Sequence, residues 1–191
     1  MNDKWVVVNG SPRKGKNSDY IIDSLEQLSV FKGRSFIRYK LSDLSVAPCT
    51  GCEFCLKRGY CHIEDDFQAI VESIRVHKNI ILISPSYNYN VTAQMKCFLD
   101  RLFSQYEFYT GGYASRLGEG IRSMIIGVSA GDEEGMGYTV EAMKKCMDDL
   151  MIEVLMPYKY MGTKRKPAYD NPQLVAELNQ HFQVAIENSK Y

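Results

Sequence analysis

The chain has 191 residues, 45% of them apolar, with 23 basic side chains against 23 acidic ones. That length is about one domain's worth and buries a core without staples, while a zero net charge gives no field to draw nucleic acid or anionic lipid onto the whole surface. Apolar runs such as Trp5–Val8 and Ile80–Ile83 fall far short of the roughly 18 residues of a membrane span, and no basic stretch leads into an apolar core at the N-terminus. The expectation is therefore a soluble, cytoplasmic protein with neither nucleic-acid nor membrane partners.

In chain order, Lys4 to Asn9 reads as a buried strand ending at Asn9-Gly10. Tyr20, Ile21, Leu25 and Leu28 recur at helical spacing, and Arg34 to Leu41 alternates as a half-exposed edge strand does. A cysteine-rich loop follows, then a helix through Phe67, Ile70, Val71 and Ile74, capped by Asp65 or Asp66. Asn79 to Ser84 is a fully apolar strand. Met95, Phe98, Leu99, Leu102, Phe103 and Tyr106 sustain the strongest helical period in the chain. Ile121 to Ser129 gives a fourth strand, Val140 to Met151 a helix, Ile152 to Tyr158 a fifth strand, and Leu174 to Ile186 a last helix. Strands alternating with helices, with no repeat or linker, predict a doubly wound α/β fold with helices on both faces of a five-stranded parallel sheet. The edge-like second strand fits the order 2-1-3-4-5. Ligands then belong on the loops after Val8, Ser84 and Val128.

The first of these loops, Gly10 to Ser18, reads GSPRKGKNS. Backbone N–H groups at such a turn, backed by a helix dipole, favour a phosphate dianion. Ser11 and Ser18 add hydroxyls, Asn17 an amide, and Arg13 and Lys16 positive charge. The string nearly fits a nucleoside-triphosphate loop, but Asn17 stands where a magnesium-binding hydroxyl should be, and the dinucleotide fingerprint is absent. The second loop reads SPSYNYN from Ser84 to Asn90, a polar and aromatic stretch suited to a planar ligand, and the third reads SAGDEEGMG from Ser129 to Gly137.

GSPRKGKNS resembles the FMN phosphate loop of the NADPH-dependent FMN reductase family, a flavodoxin-like group. Lys16 departs from the small hydroxyl residue many members carry. Pro85-Ser86-Tyr87 and the following Met95-Lys96 and Asp100-Arg101 are similar to the family's flavin-wrapping loop and its helix. The resemblance spans roughly Lys4 to Met156. It implies one FMN-binding domain over residues 1–191, with FMN held by Ser11, Arg13, Lys16, Asn17, Ser18, Pro85, Ser86, Tyr87, Asn88, Tyr89, Asn90, Ser129, Ala130 and Gly131. It also implies NAD(P)H as co-substrate, a small-molecule or protein redox partner, and homodimers or homotetramers. No side chain is needed as nucleophile, because the flavin carries the chemistry.

Cys49, Cys52, Cys55 and Cys61 give C-x2-C-x2-C-x5-C in one loop at about 47–63, a spacing that can turn thiolates toward one point. With Ala47-Pro48 before it and Asp65-Asp66 after it, the motif resembles that of the family's iron-sulfur flavoproteins, which implies a 4Fe-4S cluster. Unmetallated thiols and a zinc site stay open as alternatives. Lys57 and Arg58 either offset cluster charge or form a solvated tip, and His62 reads as a surface residue. Cys97 and Cys146 lie on helices as small apolar groups. Tyr106 to Tyr113 reads as a wing over the flavin, a subunit contact or core, and Lys164 to Lys166 as a solvated loop. The runner-up function is a non-catalytic nucleotide- or metal-binding module in which the four clustered cysteines hold a structural ion.

Overall fold

The computed structural model describes residues 4–187. Strands β1 (Lys4–Asn9), β2 (Ser35–Lys40) and β3 (Asn79–Pro85) precede an antiparallel hairpin of β4 (Tyr106–Tyr109) and β5 (Gly112–Ser115). Strands β6 (Arg122–Val128), β7 (Glu153–Val154) and β8 (Tyr158–Tyr160) complete the set. The helices are α1 (Asn17–Leu25), α2 (Phe54–Arg58), α3 (Phe67–His77), α4 (Ala93–Arg101), α5 (Glu133–Met136), α6 (Thr139–Asp149) and α7 (Leu174–Glu187). The main sheet runs β2-β1-β3-β6, and β7 and β8 both pair with β6. Every pairing in it is parallel.

Strands covered on both faces read as continuous apolar runs, which is why β1, β3 and β6 were legible. Their alternate residues sort into two cores. Val6, Val8, Ile80, Leu82 and Ile125 pack with Phe67 and Ile70 of α3, Phe98 of α4 and Met143 of α6. Trp5, Val7, Ile81, Ile83 and Ile126 pack on the other face with Ile21 of α1 and Leu178 and Phe182 of α7. Each fully buried aliphatic or phenyl side chain contributes roughly 1.5–3 kcal/mol. Strand β2 is the expected edge, with no fully buried residue. The result is the flavodoxin-like architecture, with its switch point between β1 and β3.

Two expectations are corrected. The fifth strand is broken: Glu153–Val154 pairs with Arg122–Ser123 and Tyr158–Tyr160 with Ile126–Val128. Pro157, in the gap, has no N–H to give the ladder. The long helix through Tyr106 stops at Arg101, passes through a 3₁₀ turn over Leu102–Gln105, and becomes the hairpin. There β-forming aromatics flank a glycine turn, and the local period of 2 overrides the helical one. The start of α3 is set by Asp65, one of the two expected caps. Asp65 Oδ1 accepts from the Phe67 N–H at 3.0 Å while Gln68 Oε1 accepts from the Asp65 N–H at 3.2 Å, a reciprocal cap.

Candidate functional site

The three loops after β1, β3 and β6 meet at the C-terminal edge of the sheet. Gly10 donates its N–H to the Ile83 carbonyl at 2.9 Å, tying the first loop to β3. A Cβ at Gly10 would lie 2.8 Å from Met95 Cβ, so no side chain fits there. Thr92, fully buried, donates its hydroxyl to the Gly10 carbonyl at 2.6 Å and accepts from the Met95 N–H at 3.2 Å. One residue thus caps α4 and fixes the first loop.

The shape of the Gly10–Ser18 loop rests on Asp19. Its carboxylate accepts from the Gly15 N–H and the Asn9 amide, both at 2.7 Å, and from the Lys40 ammonium at 2.6 Å. Lys40 also donates to the Arg13 carbonyl at 2.9 Å, and Asn9 Oδ1 accepts from the Ser11 N–H at 2.9 Å. No side chain among the described residues caps α1, so its first-turn N–H groups remain for a ligand or solvent. Asn9, Asp19, Lys40 and Thr92 were missed by sequence reasoning. Thr92 carried a readable signal, a threonine just before a helical period. The contact between Asp19 and Lys40, on different elements, carried none.

A cavity of about 70 Å³ opens at this point. Ser11, Arg13, Lys16, Asn17, Ser18, Pro85, Ser86, Tyr87 and Ala130 line it, together with Val128 and Thr163. Asn17 Oδ1 accepts from the Ala168 N–H at 2.8 Å. The remaining expected residues do not line the cavity. Tyr87 and Asn90 close a two-residue turn by paired backbone bonds at 2.8 and 3.2 Å, with Asn88 and Tyr89 at its tip at φ of 51° and 66°. Both signs are those of a type I′ hairpin turn, which asparagine accepts and tyrosine resists. The tip is pinned from outside: the Tyr138 N–H donates to the Tyr89 carbonyl at 2.7 Å, and Gly137 packs so closely that a Cβ there would sit 2.7 Å from Tyr89 Cα. Ser129 and Gly131 spend their carbonyls on Thr163 and Gly162. Tyr87 and Tyr89 stay 42% and 56% exposed, so their rings are free to cover a ligand.

All four clustered cysteines line a second cavity, of about 260 Å³, with Phe54, Arg101 and Phe103. Arg101 from α4 holds this loop at both ends. Its guanidinium donates to Asp65 at 2.8 and 3.2 Å, to the Ala47 carbonyl at 3.0 Å and to the Ile63 carbonyl at 3.1 Å, and lies over the Phe67 ring. Burial pushes the Asp65 carboxyl up, but Arg101 and the N–H groups of Ala47 and Phe67 outweigh it and hold the group below the ordinary carboxylate value. The buried Arg101 Nε has no hydrogen-bond partner among the described residues; burial pulls the guanidinium's pKa down, but Asp65, with Cys61 adding, outweighs it and raises it. Burial raises the Cys55 thiol, with the other three cysteines adding to the rise. The Phe54 N–H and the Thr50 hydroxyl lower that of Cys52. His62 approaches Cys52 at 3.7 Å. Among the described residues no three Cys, His, Asp or Glu side chains gather tightly enough for one metal ion. Lys57 and Arg58 are exposed on α2.

A larger cavity, about 710 Å³, lies at the opposite, N-terminal edge of the sheet beside Trp5, Asn79 and Arg122. Open α/β sheets bind ligands at the other edge. No helix among the described residues is long and apolar enough to cross a membrane.

The family profile described as NADPH-dependent FMN reductase matches residues 4–164. The chain is 36% identical over 98 residues to an iron-sulfur flavoprotein of Methanosarcina thermophila, covering 51% of each chain. It is 36% identical over 99 residues to an iron-sulfur flavoprotein of Archaeoglobus fulgidus, covering 52% of this chain and 45% of that one. These matches span about half the length of each relative. Among solved structures, an NAD(P)H:quinone oxidoreductase from Methanothermobacter marburgensis superposes with a TM-score of 0.74 at 11% identity, over 94% of this chain and 97% of that one. An FMN-dependent NADH-azoreductase from Bacillus anthracis superposes with a TM-score of 0.65 at 16% identity, over 95% and 99%. At these identities the likeness is one of fold.

Proposed function

The chain belongs to the NADPH-dependent FMN reductase family, and from that premise we propose that it is an FMN-dependent redox flavoprotein reduced by NAD(P)H. It works as an FMN- or quinone-type reductase, or as an iron-sulfur flavoprotein electron carrier. The observation that carries the proposal is the small cavity where the three loops meet, lined by three serines, an arginine and a lysine. When bound, FMN supplies hydride acceptance at N5 and passage between two-electron and one-electron chemistry.

The chain's own residues bind and orient. Ser11, Arg13, Lys16, Asn17, Ser18 and the α1 N-terminus take the phosphate, with charge-assisted bonds worth about 1.5–3 kcal/mol each. Pro85, Ser86 and Tyr87 border the ring system. Asn88, Tyr89 and Asn90 form its outer rim, and Ser129, Ala130 and Gly131 its far edge. We place the whole in one FMN-binding domain with the cysteine-rich insert at 47–63, in a cytoplasmic homodimer or homotetramer serving a small-molecule or protein partner.

Cys49, Cys52, Cys55 and Cys61 fit a 4Fe-4S cluster better than zinc. A zinc ion asks all its sulfurs to lie about 2.3 Å from one point, whereas a cubane gives each cysteine its own iron and needs them wider apart around a roomier hollow. All four cysteines line one hollow of about 260 Å³, which supports the second arrangement. Arg101, with its Nε unpartnered among the described residues, shares this hollow with the four cysteines. The exposure of Cys49 and Cys52 favours a second reading, in which the thiols stay free.

The test is anaerobic addition of NADPH, then NADH, to flavin-loaded protein, with iron and acid-labile sulfide measured in parallel. Bleaching of the flavin absorbance supports the reductase. Loaded flavin that neither nucleotide bleaches contradicts it. Flavin without iron or sulfide contradicts the cluster alone.

A further inference from the structure

The side chains of Lys164, Arg165 and Lys166 are exposed, as a solvated loop's would be, yet the backbone around them is tied down. Residues 162–170 form a strap across two of the three site loops. On one side the Gly162 N–H donates to the Gly131 carbonyl at 2.7 Å, Thr163 to Ser129 at 3.1 Å and Lys164 to Ala130 at 3.3 Å. At the other end the Ala168 N–H donates to Asn17 Oδ1 at 2.8 Å, and the Lys16 ammonium sits 5.6 Å from the Tyr169 ring centre. The buried Tyr160 braces the middle, its hydroxyl donating to the Lys166 carbonyl at 3.1 Å. The strap contributes Thr163 to the lining of the small cavity.

We infer that Thr163 contacts the ligand's phosphate directly, and that strap 162–170 is a second wall of the cradle which the bound phosphate holds shut. The inference rests on the phosphate reading of that cavity. The threonine hydroxyl meets the need of a phosphate oxygen for donors, and the exposed cations beside it deepen the positive potential of the site. Asn17 links the two walls, because it lines the cavity while its oxygen holds the strap. A ligand that binds only the closed arrangement must stabilise it.

Riboflavin, which carries the same ring without the phosphate, is the discriminating probe. Thr163→Val removes the hydroxyl and is expected to lower FMN affinity about tenfold, the effect of one hydrogen bond to a charged group, while riboflavin affinity stays within about twofold. Thr163→Ser keeps the hydroxyl and restores FMN affinity, which separates loss of a contact from failure to fold. Trypsin cuts after Lys164 and Arg165, and Pro167 shields the bond after Lys166. Saturating FMN should slow those cuts several-fold and saturating riboflavin should not. FMN affinity within twofold of the unmodified protein for Thr163→Val, or equal cleavage under the two flavins, overturns the inference. Should the unmodified protein fail to prefer FMN over riboflavin, the phosphate reading falls and takes this inference with it. A clear preference that Thr163→Val leaves intact removes only the inference.

Discussion

Asp65→Asn keeps the side chain's shape and removes its charge, stranding the Arg101 guanidinium without a counter-ion. The two side chains are 6% and 0% exposed, so solvent screens the pair little. Removing one partner of a buried pair costs about 3–5 kcal/mol, and the Ala47 and Ile63 carbonyls that still accept from Arg101 place this case near the lower end. Against a total stability of about 5–15 kcal/mol that is a large fraction, readable as a lowered midpoint in urea unfolding at neutral pH. The sign of the pH dependence follows from the depressed carboxyl of Asp65. Its contribution is fully present above the unfolded value of about 3.9 and is lost as pH falls through the lower folded value. The variant lacks that acid-side loss. Combining Asp65→Asn with Arg101→Met recovers part of the cost, because no buried charge is left alone. A loss below about 1 kcal/mol, or an acid-side loss equal to the unmodified protein's, would refute the view that this pair locks the cysteine loop.

Ser11→Ala with Arg13→Ala should weaken FMN binding by about 3–5 kcal/mol in a flavin fluorescence titration and leave riboflavin nearly unchanged; equal losses for both would mean that the loop does not hold phosphate. Gly137→Ala should cost more than about 2 kcal/mol by thermal unfolding, since φ is 53° and the new Cβ meets the Tyr89 backbone; a neutral effect would show that the Asn88–Tyr89 tip is not held there. Replacing any one of Cys49, Cys52, Cys55 or Cys61 by serine should lower iron content and abolish the cluster signal in the reduced protein while FMN stays bound. Unchanged iron would exclude that residue as a ligand.

The sheet was legible because buried parallel strands leave uninterrupted apolar runs, and Val6–Val8 and Ile80–Ile83 have no other easy reading. The place of the Gly10–Ser18 loop at the sheet's C-terminal edge was legible because it follows the apolar run of β1 and opens α1. What holds it in shape was not, since Asp19, Lys40 and Thr92 act across gaps that no local period records. Pro157 could have warned that the fifth strand breaks. The hairpin after α4 was masked by Phe103 and Tyr106, which continue the helical spacing of Met95 and Phe98 although Phe103 ends 42% exposed. Asn88 and Tyr89 sit at the right turn but beyond the cradle, because a type I′ geometry carries its tip outward and Gly137–Tyr138 secures it there.

FMN as the occupant of the cradle at the ends of β1, β3 and β6 is the claim to test. Protein purified anaerobically, reconstituted if colourless, then denatured and its released cofactor separated by chromatography, should yield FMN. Recovery of FAD, or no flavin after reconstitution with FMN, would contradict it.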